Sequence, residues 1–82
     1  MNKIVCWAVT AVKPEENYKL RISFEDGKIK IFDMKPFLEI PYFEKLKSPG
    51  YFKKAHVENF TVAWADDIDI DPEELYYDGV EV

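Results

Sequence analysis

Residues 18–33 alternate apolar and polar side chains around an Asp26-Gly27 pair, and no other stretch limits the folding options of this chain as much. Tyr18, Leu20, Ile22 and Phe24 fall on one face of an extended segment, and Lys19, Arg21, Ser23 and Glu25 fall on the other. Period-two alternation is the pattern of a strand with one face buried. Asp-Gly between two such runs marks a β-hairpin, because a tight turn needs backbone angles that glycine adopts without strain. A two-residue loop pairs Glu25 with Lys28, Phe24 with Ile29 and Ile22 with Ile31. That register sets apolar against apolar on the core face and leaves Glu25 and Lys28 at the rim.

The flanking segments extend this hairpin into an α+β fold. Residues 4–12 (Ile-Val-Cys-Trp-Ala-Val-Thr-Ala-Val) are almost continuously apolar and read as a strand covered on both faces, ended by Pro14-Glu15-Glu16-Asn17. The expected core is an antiparallel β-meander with strands near residues 3–13, 18–25 and 28–33. Asp33 is placed to cap a short helix with Pro36 in its first turn. Pro41 and Ser48-Pro49-Gly50 divide the next segment into short helical pieces around Phe37-Leu38, around Phe43 and Leu46, and around Tyr51-Phe52-Lys53-Lys54. None is long enough to stand without the sheet beneath it. Residues 56–58 and 60–64 predict one or two later strands, with Asn59 near a turn. Asp71-Pro72-Glu73-Glu74 predicts a C-terminal helix near 72–77: Asp71 caps, Pro72 takes the first helical position, and Glu74 closes a capping box. Eighty-two residues make one domain, residues 1–82. A chain of this length buries only about 60 % of its unfolded surface, so its thirteen aromatics are expected to fill the core.

Charge divides the chain in two. Residues 1–54 carry eleven basic and seven acidic side chains; residues 55–82 carry nine acidic and no basic ones. The formal charges are +4 and −9, which sum to −5. Such asymmetry bears on partners rather than on fold. It predicts an anionic face, with Asp66, Asp67, Asp69 and Glu73 as the candidate binding residues for a basic protein partner. Asp71 and Glu74 are assigned to capping. Net acidity argues against direct nucleic-acid binding. The lone Cys6 excludes an intrachain disulfide and fits a reducing cytoplasm, and no apolar run is long enough to span a bilayer.

No residue pattern points to catalysis or to a cofactor. Asp67, Asp69 and Asp71 have the spacing that opens a calcium loop, but Pro72 stands where that loop turns on glycine, and Asp78 stands where it needs a bidentate Glu. Ile68 and Ile70 read instead as inward residues of a short extended segment. His56 is the single histidine and has no identifiable nucleophile beside it. Cys6 lacks a basic neighbour that would lower its pKa and reads as an inert buried thiol. Lys28, Lys30, Lys53 and Lys54 read as part of a solvated face rather than a basic patch. Trp64 and Leu75 or Tyr76 read as packing residues.

The run from Trp64 through Ala-Asp-Asp-Ile-Asp-Ile-Asp-Pro-Glu-Glu to Leu75-Tyr76 resembles the small bacterial domain of unknown function 2442. In that pattern a Trp is followed by a short turn, an Asp, and a Pro-containing helix start that ends in Leu-Tyr. The hairpin of Tyr18, Leu20, Ile22, Phe24 and Asp26-Gly27 resembles the same family, as does the segment with Phe43, Leu46, Tyr51-Phe52 and Val57. In the family the turn after the Trp usually carries a glycine; here Asp67 takes that place, which predicts a differently shaped or strained turn. The resemblance implies a compact α+β domain with no assigned reaction. Some members are similar to one half of a suspected toxin–antitoxin pair, beside a second domain of unknown function, 4160. The resemblance thus implies an antitoxin-like, non-enzymatic interaction module. The alternative is a structural or regulatory homo-oligomer.

Overall fold

The computed structural model describes residues 7–82. Among these residues seven strands form two antiparallel sheets, with short helical turns between them. β1 (Val9–Glu15), β2 (Lys19–Phe24), β3 (Ile29–Asp33) and β7 (Val80–Glu81) make a four-stranded sheet in the order β1-β2-β3-β7. β4 (His56–Glu58), β5 (Thr61–Trp64) and β6 (Ile68–Ile70) make a second sheet in the order β4-β5-β6. Two 3-10 segments (Lys35–Phe37 and Pro41–Lys47) and one α-turn, α1 (Pro49–Phe52), connect the sheets. Helix α2 (Pro72–Asp78) leads into β7. The α+β meander read from the sequence is therefore present, with four later strands rather than one or two. Cys6 and the start of the predicted first strand lie outside the described residues.

The β2–β3 hairpin forms at the predicted place but in a different register. Leu20 faces Phe32, Ile22 faces Lys30 and Ser23 faces Ile29. The loop holds three residues, Glu25, Asp26 and Gly27. Gly27 N–H bonds the Phe24 carbonyl at 2.9 Å, and Phe24 N–H bonds the Lys28 carbonyl at 2.9 Å. Gly27 has φ +91°, the left-handed residue that completes such a three-residue turn. Asp26 Oδ1 accepts the Lys28 N–H at 2.9 Å, which locks the turn. Shifting a strand by one residue exchanges its faces. Lys30 and Phe32 therefore lie on the core side with Leu20, Ile22 and Phe24, while Ile29 is 40 % exposed. The expectation of a solvated Lys30 is overturned. Its amine donates to the Tyr76 carbonyl near the end of α2 and sits 3.9 Å from the Tyr76 ring centroid. A cation there complements the negative end of the helix. Tyr76 Oη donates in turn to Asp26 Oδ2 at 2.5 Å. α2 is thus fastened to the hairpin at both ends of one tyrosine.

β1 is an edge strand, not one covered on both faces: Thr10, Ala11 and Lys13 are exposed. It runs on through Pro14, which pairs with Leu20, because an edge strand tolerates a missing N–H on its outer side. The strand buried on both faces is β5, in which all four residues are buried. The core joins Leu20, Ile22, Phe24 and Phe32 from one sheet, with Met34 just beyond β3, to Val62, Trp64, Ile68 and Ile70 from the other. Phe43, Leu46, Phe52 and Leu75 close it from the helical segments. Trp64 is 2 % exposed and its Nε1 donates to the Phe52 carbonyl at 3.0 Å, so one side chain satisfies a backbone acceptor at the end of α1.

Candidate protein-binding face

The β5–β6 turn presents the first two candidate acids. Asp66 (φ +62°) and Asp67 (φ +61°) both occupy the left-handed region. Glycine adopts that region freely and Asp tolerates it, so the Asp found where the resemblance leads one to expect Gly is accommodated with positive φ. Ile68 and Ile70 point into the core and leave Asp69 outside, as alternation along a strand requires. Asp71 Oδ1 accepts the Glu73 N–H at 2.9 Å and caps α2. Glu74 turns to Asp78 one turn along the helix instead of closing the predicted capping box. Its hydrogen bond to Asp78, then burial and the neighbouring negative charge, hold its carboxyl above the usual carboxylate range.

The segment 41–51 supplies the ground on which these acids stand. Tyr42 Oη accepts the Asp69 N–H at 3.1 Å and donates toward the Asp67 carbonyl at 3.1 Å, with Asp69 Oδ1 at 3.3 Å. The Tyr42 ring packs edge-on against Phe43 at 4.8 Å, yet the residue remains 51 % exposed. Tyr51 Oη donates to the Ala65 carbonyl at 2.5 Å and lies 3.3 Å from Asp66 Oδ2. Lys45 Nζ bonds Asp66 Oδ2 at 3.0 Å. This pair corrects the expectation that the acidic stretch has no compensating cation: residue 45 folds back onto residue 66. The Lys45 hydrogen bond and charge hold the Asp66 carboxyl below the usual range, and Asp66 in turn raises the Lys45 amine. Burial first, then the Asp66 charge, pushes the Tyr51 hydroxyl up.

Between the two tyrosines lies an open cleft of about 790 Å³, lined by Pro41, Tyr42, Glu44, Lys45, Tyr51 and Asp66 among others. Asp66 thus lines the cleft, Asp69 Oδ1 lies at the Tyr42 hydroxyl, and Asp67 meets the same hydroxyl through its backbone carbonyl. Glu73 stands apart, exposed on the first turn of α2. Sequence reasoning missed Tyr42, Lys45 and Tyr51, which stand 14 to 27 residues from their hydrogen-bond partners in the turn. No local pattern encodes contacts at that separation. A slightly larger concavity, about 830 Å³, lies beside the β1–β2 turn. Its charges are mixed, with Lys13 and Lys53 set against Glu16, and Glu15 is already bonded to Arg21 at 3.1 Å. It does not gather one kind of chemistry. Among the described residues, no three His, Cys, Asp or Glu side chains are grouped to hold a metal, and no helix is long and apolar enough to cross a membrane.

Searches of curated proteins and of solved structures return no match. A family model described as "Protein of unknown function (DUF2442)" matches residues 9–81, from the first residue of β1 into β7. The Trp64 turn, the Asp71-Pro72 helix start and the Asp26-Gly27 hairpin all fall within that match, and the chain belongs to the DUF2442 family.

Proposed function

We propose that this domain is a non-enzymatic protein-interaction module, antitoxin-like in its use of an anionic face to hold a basic protein partner. The observation that carries this reading is the display of Asp67 and Asp69 on the surface without an ion pair among the described residues, beside a half-exposed, hydrogen-bonded Tyr42, with Glu73 likewise exposed on the first turn of α2. Charge complementarity of this kind steers encounter and is weakened by salt. A rigid tyrosine supplies contact area at low entropic cost, and tyrosine is enriched at interface hot spots. Asp66 is a poorer probe of this face than Asp67, because Lys45 already engages it.

The test starts by co-purifying a partner with the tagged chain from its own cells. Association rates are then measured at low and high salt for the wild type and for the double variant Asp67→Asn, Glu73→Gln. Asn tolerates the left-handed backbone at residue 67, so folding is preserved while two charges are lost. The double variant is expected to associate severalfold more slowly at low salt, with the difference closing at high salt. Equal low-salt rates defeat the proposal. A homo-oligomer is the second reading. It is favoured by the outer edge of β7, which pairs with no further strand among the described residues and where Val80 and Val82 are each 71 % exposed beside Ile29. The solution mass of the purified chain separates the two readings.

A further inference from the structure

We propose that the cleft between Tyr42 and Tyr51 receives an arginine side chain of the basic partner, and that Lys45 is an internal occupant which this arginine displaces. The inference rests on the acidic-face reading and assigns its anchor point. Three observations carry it. Two tyrosines whose hydroxyls are tied to backbone carbonyls wall the cleft, so their rings are held in place rather than free to collapse. The Asp66 carboxylate lies at the same cleft, and a cation from the chain itself, Lys45 Nζ, already sits on it at 3.0 Å. Both side chains of that pair are largely exposed, at 61 % and 57 %. An exposed ion pair of this kind contributes little and opens readily.

Arginine fits the site better than lysine for a geometric reason. Lys45 offers Asp66 a compact point charge. A guanidinium offers a planar fork that grips a carboxylate through two parallel N–H bonds and stacks on aromatic faces. The cleft is lined by both tyrosines together with Glu44 and Asp66, and Asp69 Oδ1 lies 3.3 Å from the Tyr42 hydroxyl. Lys45 therefore marks where the cleft favours positive charge. A divalent metal is a poor occupant, because Asp66 is the one carboxylate that the turn commits to Lys45 and Tyr51.

The probes are N-acetyl-arginine-methylamide and its lysine counterpart, titrated into the full chain by two-dimensional NMR. The arginine probe is expected to shift resonances of Tyr42, Tyr51 and Asp66, and to bind at least threefold more tightly than the lysine probe. Lys45→Gln is expected to tighten the arginine probe three- to tenfold. That gain should vanish in the Asp66→Asn background, because the lysine and the arginine compete for one carboxylate. Asn tolerates the positive φ at residue 66, and the thermal midpoint of each variant checks its folding. A Lys45→Gln gain that persists without Asp66 is general charge repulsion, and it overturns the proposal. Equal binding of the two probes also overturns it. If Lys45→Gln is silent while Asp67→Asn with Glu73→Gln still slows partner association, the cleft assignment fails and the acidic face stands. If neither variant changes binding, both readings fall.

Discussion

Lys30→Ala should cost this domain more stability than Ile29→Ala, the reverse of what side-chain polarity alone suggests. In the three-residue-loop register Lys30 is 9 % exposed, while Ile29 is 40 % exposed. Truncating Lys30 removes a charge-assisted hydrogen bond to the Tyr76 carbonyl, of a class that contributes about 1.5–3 kcal/mol. It also removes a cation–π contact of about 0.5–1 kcal/mol, and a stem whose Cβ and Cδ lie against Gly79. These terms share atoms and do not add fully, so the expected loss is about 2–4 kcal/mol. Ile29 keeps much of its surface in water, and its truncation should cost about 1 kcal/mol. An 82-residue domain has a stability on the order of 4–12 kcal/mol, so the Lys30 loss is a large fraction of the whole. Urea unfolding followed by the fluorescence of buried Trp64 measures both variants, with the slope checked for constancy. If Ile29→Ala lowers the midpoint by as much as Lys30→Ala or more, the two-residue loop is the correct hairpin and the account of α2 anchoring is wrong.

Other perturbations test other parts of the fold. Trp64→Ala should cost ~3–5 kcal/mol and abolish cooperative unfolding or soluble expression, since it empties the centre of the core and removes the indole N–H bond to the Phe52 carbonyl; a cooperative melt with a wild-type midpoint removes Trp64 from the core. Gly27→Val forces a β-branched residue to φ +91° and should cost about 1–3 kcal/mol; an unchanged midpoint and slope in urea would exclude the left-handed turn residue. The Lys54 carbonyl, then Glu58, raise the His56 pKa above the ordinary histidine value. Its contribution is therefore fully present below that ordinary value and is lost as pH rises through the folded-state pKa. The thermal midpoint of His56→Gln should accordingly fall below wild type at pH 5.5 and match it at pH 9, and the opposite order refutes the assignment.

The sequence by itself determined those features that a few neighbouring residues decide. Alternation placed Leu20, Ile22 and Phe24 on the core face of β2, and Asp26-Gly27 placed the turn. Asp71-Pro72 set the start of α2, where a side-chain cap and a fixed φ act within one turn. Ile68 and Ile70 face inward as their spacing requires. Tertiary structure decided the rest. Two-residue and three-residue loops are both open to a Glu-Asp-Gly-Lys stretch, and they bury opposite faces of β3. The outcome depends on whether a buried lysine finds an acceptor, and that acceptor is the Tyr76 carbonyl, forty-six residues away. The acidic stretch followed the same rule. Its charge was legible in the sequence, but its partner Lys45 and its tyrosine walls come from a segment 14 to 25 residues away that meets it only in the folded chain. A charge pattern along the chain counts what is present. Which charges remain unpaired is fixed by distances across the core, and those exist only in the folded molecule.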